Sequence, residues 1–378
     1  MSFSFWEKET FIGKIDYGIV GCGIVGLNTA INLKLKKPDA RVVVFERGYL
    51  PHGASTRNAG FACIGSVSEL LSDVQIMGED AVFALVERRY QGLEKLKKRC
   101  GENEIQYKGL GGFEIFGVQD ELNKDKCFDA VHEFNKKLNS ITKTEKTYEK
   151  LETKSPFLGM EGIHAAIKNT VEGQLDTGKM MARLLKLAKD IGVIIFFGIE
   201  VVKIENEHEP CLILADGESI NMRNLILCTN GFARELMPAL EVIPARNQVW
   251  VTNPLPGLKI KGSFHYLEGY YYFRNVGERL LIGGGRHLDK DGETTSEQGE
   301  TEIIQNGLRH MVEQIILPRT PYQVEYKWSG IMGLGPTKKP IIKAIDERTF
   351  VAVRMGGMGV AIGSLVAEEV ADLVLSHD

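Results

Sequence analysis

The run Asp16-Tyr17-Gly18-Ile19-Val20-Gly21-Cys22-Gly23-Ile24-Val25-Gly26, followed downstream by Arg41-Val42-Val43-Val44-Phe45-Glu46, decides the fold. It reads as a short apolar strand, a glycine turn, a helix, a second apolar strand and an acid. The helix shows in the apolar steps Ile24, Leu27, Ile31 and Leu35, and Pro38-Asp39 stops it. Gly21 makes the tight turn, Gly23 lets backbone approach a pyrophosphate, and Gly26 lets helix and strand pack closely. The helix N-terminus offers N–H groups and a positive dipole end to phosphates. Glu46 stands 20 residues after Gly26, where a carboxylate can accept from ribose hydroxyls. Together these features predict an adenine-dinucleotide site on a Rossmann-like α/β domain. The competing reading is a glycine turn in some other α/β domain.

A chain of 378 residues is long for one domain and comfortable for two. Hydrophobic content of 43% with 25% charge describes a globular protein rather than a disordered or fibrous one. A formal charge of −4 argues against nucleic acid as a partner. No apolar run is long enough to span a bilayer. Near the N-terminus, Phe3, Phe5 and Trp6 are broken by Glu7, Lys8 and Glu9, so no signal-peptide core is expected. Cys22, Cys63, Cys100, Cys127, Cys211 and Cys228 form no CxxC pair. That pattern suits a reduced cytoplasm with no metal and no disulfide framework.

Past Glu46, residues 53–60 (GASTRNAG) and Phe61 make a loop of small and hydroxyl residues suited to covering a ligand. Residues 79–99 read as helix, 108–118 as a strand pair, and the mixed charges of 136–154 as a solvated helical face. The apolar positions Met180, Leu184 and Leu187 mark a helix ending at Gly192, followed by a strand over 193–197. Segments 200–205 and 211–214 read as a hairpin-like pair, and 224–228 as another strand before the turn at Thr229, Asn230 and Gly231. From Val242 to Asp289 alternating strands carry Gln248, Trp250, Tyr266 and the run Tyr270-Tyr271-Tyr272, an antiparallel sheet signature. A strand over 349–353 then meets Gly356-Gly357-Met358-Gly359-Val360 and a closing helix. That unit aims a helix N-terminus without a trailing acid.

With glycine units at both ends, the sequence resembles the D-amino-acid oxidase/glycine oxidase family of FAD enzymes. The resemblance runs nearly the whole length. Its other motifs are GASTRNAG, EGQLDTGKMMARLLKLAKDIGV, LCTNGFA, YYYFR…LLIGGGR and WSG…KKP…GGMGVAIG. Within the family it is most similar to the γ-glutamylputrescine oxidase-like branch. The resemblance implies a discontinuous FAD domain (1–85, 150–240, 328–378) and an α+β substrate domain on an antiparallel sheet (86–149, 241–327). FAD would be held non-covalently by the first glycine unit (Gly21, Gly23, Ile24, Val25, Gly26), by Glu46 at ribose and by Arg47 near the adenosine end. Ala54, Ser55, Thr56, Asn58, Ala59, Gly60 and Phe61 would line the pyrophosphate and flavin ring. Val201 would pair with adenine. Thr229 and Gly231 would lie at the cofactor, and Gly356, Gly357, Met358, Gly359 and Val360 would face the flavin pyrimidine. Some relatives attach flavin through a cysteine near the C-terminus, and this chain has none after Cys228. Cys63 lies close in sequence to the flavin loop and reads as a buried apolar thiol.

Two departures from the family stand out. The arginine that clamps a carboxylate, two residues after the glycine of W-x-G, is Met332 here. The strand on which sarcosine oxidase-like members carry an oxygen-activating lysine is the apolar Leu280-Leu281-Ile282, so fast use of oxygen is not expected. On the substrate side the candidates are Tyr271, eight residues before Arg279, then Arg286 with Arg274 in reserve, Phe61, and the apolar wall at Met332. The implied reaction oxidises the C–N bond of an amino acid or secondary amine to an imine by hydride transfer to flavin. Its partners are a small-molecule substrate and oxygen or another acceptor, in a chain that could form a homo-oligomer. Two alternatives stay open. One is a 2-hydroxy-acid dehydrogenase using His265 or His287 as base, although both histidines read more simply as packed or surface residues. The other is a flavin-binding subunit without its own turnover.

Overall fold

The computed structural model describes residues 3–117, 120–155, 157–206 and 208–378. The opening run forms β1 (Ile15–Val20), α1 (Ile24–Lys36) and β2 (Val42–Glu46). Gly21 sits at φ +106°, and a Cβ on Gly26 would lie 1.9 Å from the Gly21 carbonyl oxygen. Only glycine at 26 lets the helix start so close to the turn. Leu35, the last apolar step, is 59% exposed, because the final turn of α1 runs past the core.

The ligand loop holds α2 (Ala54–Arg57) and β3 (Phe61–Ala62), then come α3 (Val67–Met77) and α4 (Glu79–Cys100). Next are β4 (Gly112–Gly117), α5 (Glu121–Thr142), β5 (Tyr148–Glu152), β6 (Ile163–Asn169) and β7 (Gly173–Gln174). Asp176 caps α6 (Thr177–Asp190) through its side chain, and β8 (Ile194–Phe197), β9 (Val201–Asn206), β10 (Pro210–Leu214) and β11 (Ser219–Leu227) follow. The remainder is α7 (Ala233–Leu236), β12 (Ile243–Thr252), β13 (Ser263–Tyr266), β14 (Tyr271–Val276), β15 (Arg279–Gly284) and α8 (Glu302–Met311). The chain closes with β16 (Val324–Leu334), β17 (Ile341–Ala344), β18 (Thr349–Val353) and α9 (Gly359–Ser376).

The first sheet has the order β17-β18-β11-β1-β2-β8, with β9 and β10 attached through β11. Strands β8, β2, β1, β11 and β18 run parallel. Their continuous apolar runs follow from burial on both faces. Val42, Val44, Phe350 and Ala352 pack in one cluster with α1 and α9, while Val43, Phe45, Val351 and Val353 pack in the cluster that includes the β9–β10 pair. Helix α4 crosses α9 so closely that a Cβ on Gly92 would lie 2.3 Å from the Ala361 carbonyl oxygen.

The second sheet has the order β16-β12-β15-β14-β13-β4-β6-β5 and is antiparallel except for β13 with β4. One face (Trp250, Phe264, Phe273, Leu280, Ile282) is packed against Ile304, Leu308 and Met311 of α8. The other carries Val249, Val251, Leu281, Tyr272 and Trp328 toward Ala59 and Phe61 of the ligand loop. This face, set against the first sheet's C-terminal strand ends, builds the site.

Several expectations need correction. The 108–118 segment contributes one strand, β4, plus a bridge at Lys108, and Val118 lies outside the described residues. Strand β6 pairs with β4, and β5 with β6, in the second sheet, so a boundary at 150 divides that sheet, and α4 packs with α9 in the first sheet's cluster. The charged run 136–154 is helix only to Thr142. Its remainder forms the edge strand β5, where charge discourages further pairing.

Candidate functional site

A cavity of about 600 Å³ runs from the β1–α1 turn, past the ligand loop and the start of α9, to the inner face of the second sheet. At one end Glu46 is buried, its Oε2 accepting from the Cys22 N–H at 3.1 Å and its Oε1 from the Gly48 N–H at 3.1 Å. Arg47 lies over the Phe232 ring at 4.1 Å, and Val201 lines the wall beside it. At the α1 N-terminus the Ile24 N–H donates to Ser55 Oγ at 2.9 Å, and a Cβ on Gly23 would lie 2.8 Å from that oxygen. The two glycine-loop segments therefore close on each other, with Gly21, Gly23, Ile24, Val25, Ala54 and Ser55 all on the cavity.

Asn58, Ala59, Phe61, Thr229 and the Gly356 to Val360 segment line the middle. Four expected residues do not. Gly26 serves helix packing. Thr56 turns its hydroxyl to the Pro51 carbonyl at 2.7 Å. Gly60 at φ +73° and Gly231 hold close backbone contacts, since a Cβ would lie 2.4 Å from the Leu175 oxygen or 2.6 Å from the Met332 oxygen. The Cys63 thiol sits 3.5 Å from the Met358 sulfur, and burial first, then the charges of Glu172 and Glu69, push its pKa well up. A thiol held protonated is a poor nucleophile.

The substrate-side half differs most from expectation. Tyr271 is turned to the opposite face of β14, in the α8 cluster, edge-on to His287 at 5.0 Å. Side chains alternate along a strand, so its neighbours Tyr270 and Tyr272 reach the cavity instead. Arg274 does not line the cavity. It is buried and donates to the Leu175 carbonyl at 3.0 Å, tying β14 to the start of α6. Arg286 and Met332 both line it. The Arg286 Nη2 donates to Thr294 Oγ1 at 3.1 Å, its buried Nε has no partner, and no carboxylate pairs with it among the described residues.

The sequence reading missed Tyr272, Asn247, Glu69, Asp73 and Lys338 as site residues and raised His265 only as a base for the hydroxy-acid alternative; all six lie on the cavity wall. Lys338 bridges Glu69 at 2.6 Å and Asp73 at 3.0 Å, and Arg89 stands 4.0 Å from Glu69. Burial opposes ionisation of Glu69, yet Lys338 and Arg89 hold its pKa at about 2. The cavity wall therefore carries Lys338 and Arg286 as well as Arg47 and Arg57, although the Leu280–Ile282 strand supplies no cation and turns Leu281 toward Ala59 and Phe61. The signal for Tyr272 was its cross-strand partner Gly283, which leaves room for a ring. Thr229 Oγ1, Asn247 Oδ1, His265 Nε2, Asp73 Oδ2 and Arg286 Nε are buried without partners. Five such atoms around one cavity describe a wall made for a polar ligand. Among the described residues no group of His, Cys, Asp and Glu could hold a metal, and no helix is long and apolar enough to cross a membrane.

A family model described as "FAD dependent oxidoreductase" matches residues 16–373. The chain is 22% identical over 385 residues to a probable oxidoreductase OrdL of Haemophilus influenzae, covering 98% of this chain and 85% of that one. It is 25% identical over 374 residues to a glycine oxidase of Geobacillus kaustophilus, covering 96% and 93%. The solved structure of iminodiacetate oxidase from Chelativorans sp. BNC1 superposes with a TM-score of 0.75 at 18% identity, covering 95% of each chain. These values establish a shared fold across both sheets.

Proposed function

Because the chain belongs to the FAD dependent oxidoreductase family, we propose that it oxidises the C–N bond of an acid-bearing amino acid or secondary amine to an imine. The bound FAD supplies the two-electron acceptor for the hydride. The residues present fit that cofactor. Glu46 would take the ribose, the α1 N-terminus with Ser55 the pyrophosphate, and Val201 the adenine. The segment from Gly356 to Val360 would meet the pyrimidine edge. Burial keeps the Cys63 thiol protonated, which supports a cofactor held without a covalent link to it.

One observation carries the substrate reading: Arg286, with no acidic partner among the described residues, lines the same cavity as Phe61, Tyr272 and Met332. An arginine fork suits a carboxylate, which replaces the missing clamp at Met332. The names of the glycine and iminodiacetate oxidases among the similar proteins, both acting on amino carboxylates, support the same class. Phe61 and Tyr272, with rings 5.6 Å apart, form an aromatic wall that would exclude water from the reacting carbon. Anaerobic mixing of the yellow holoprotein with secondary amino acids, simple amines and 2-hydroxy acids tests the reading. The acid-bearing amines should bleach the flavin. Bleaching by hydroxy acids alone, or by nothing, would refute it.

A further inference from the structure

We propose that His265 is the residue that takes the proton from the substrate's ammonium group. The inference rests on the amine reading above and goes beyond it. A protonated amine has no lone pair to support departure of the neighbouring hydride, and an amine resembling lysine, with a pKa of about 10.4, is only about one part in a thousand neutral at pH 7.4. A site acting on such amines gains from a base within it.

Strand register puts His265 in a row across the inner face of the second sheet. It pairs across with Tyr272 on one side and Glu114 on the other, and Tyr272 pairs with Gly283. The imidazole is buried, lines the cavity, and packs edge-on to Phe61 with ring centres 5.2 Å apart. Its Nε2 is buried and has no hydrogen-bond partner. Glu69 and Asp73 from α3, Glu268, Tyr272 from β14 and Lys338 from the loop before β17 line the same cavity, Glu114 of β4 is the cross-strand neighbour of His265, and Arg89 of α4 stands 4.0 Å from Glu69. Burial favours the neutral ring, while the Glu69 carboxylate acts in the opposite direction and steadies its cation. A neutral, unpartnered ring nitrogen beside a fixed carboxylate is what a proton acceptor requires.

An N–H bond of the ammonium breaks, the proton goes to His265 Nε2, and the electron pair stays on nitrogen. The α C–H then gives its hydride to FAD, two electrons leave the substrate, and the nitrogen pair forms the C=N bond. No further reactant is needed.

The test measures flavin reduction under anaerobic conditions for wild type and His265→Gln, from pH 7 to pH 10, with FAD content checked by absorbance. The variant should be slower by roughly 10²–10³-fold at pH 7.4 and should approach wild type at pH 10, where roughly a third of such an amine is neutral. An analogue whose amine is already neutral at pH 7.4 should show little difference between the two proteins. A deficit independent of pH and of amine pKa, or no deficit, overturns the proposal. Should the variant lose FAD, wild type alone decides across a series of amines at pH 7.4. With a base in the site, reduction at saturation should not fall tenfold per unit of amine pKa, and if it does the proposal fails. Wild-type flavin that no amine bleaches at any pH overturns the amine reading itself and this inference with it.

Discussion

Replacement of Arg286 by leucine tests the substrate reading most directly. The side chain rises from the turn after Gly284 and Gly285, lines the cavity, and donates to the Thr294 hydroxyl at 3.1 Å. Removing it breaks no ion pair among the described residues, so the fold should tolerate the change. A charge-assisted hydrogen bond to a carboxylate contributes about 1.5–3 kcal/mol, which corresponds to a rise in Kd of roughly 10- to 150-fold. The assay is an anaerobic titration of flavin absorbance with a non-oxidisable amino carboxylate, repeated with the carboxamide analogue. Wild type should discriminate between the two by that factor, and Arg286→Leu should bind both about equally. FAD should remain bound, because Arg286 lies at the end of the second sheet and the nucleotide end of the cavity is built from the first. Unchanged affinity for both compounds would make Arg286 a strand-end charge. The substrate would then be a neutral or cationic amine.

Glu46→Ala should weaken FAD binding by one to two decades in a flavin-fluorescence titration, from loss of about 1.5–3 kcal/mol of hydrogen bonding; an unchanged constant would remove Glu46 from the cofactor site. Tyr272→Ala should impair substrate binding, while Tyr271→Phe should leave it within twofold, and the reverse order would contradict the strand register. Glu172 is buried, accepts from the Ile64 and Gly65 N–H groups at 2.7 and 3.1 Å, and burial raises its pKa to about 8. The folded protein therefore holds this proton more tightly than the unfolded chain does, so its contribution is fully present below about pH 4.3 and is lost as pH rises to about 8. Glu172→Gln keeps an oxygen for both N–H donors and should flatten the fall of Tm between pH 5 and 8; an identical slope in both proteins would refute the assignment.

The nucleotide end was legible because its signals are local. A strand, a glycine turn, a helix and an acid lie within one stretch, and the periodicity that predicts α1 is the one that buries it. The closing strand and α9 were legible for the same reason. What was not legible depends on pairing between distant segments. Strands β5 and β6 read as strands wherever they go, and only their pairing through β4 assigns them to the second sheet. The Glu69–Lys338–Asp73 group draws one helix and one distant loop together, so no spacing in the sequence announces it. Tyr271 was misjudged because Tyr270, Tyr271 and Tyr272 are all aromatic, which hides the alternation that tells inward from outward.

The three glycines before Arg286 show how local chemistry sets the active face. The chain itself fills most of the room that their missing side chains leave. A Cβ on Gly283 would lie 2.5 Å from the Tyr272 hydroxyl oxygen and 2.6 Å from the ring carbon that bears it, so the absent side chain lets the ring lie across the strand. A Cβ on Gly284, at φ +110°, would lie 2.0 Å from the Tyr270 carbonyl oxygen, which the Gly285 N–H meets at 2.8 Å. Gly285, at φ +80°, then turns the backbone out of β15. The first glycine thus seats an aromatic wall, the second closes the strand end, and the third redirects the chain so that Arg286 lines the cavity. Tyr272 and Arg286 are held there by backbone geometry before any ligand arrives, which is the pre-organisation that positioning a small amine over a flavin demands.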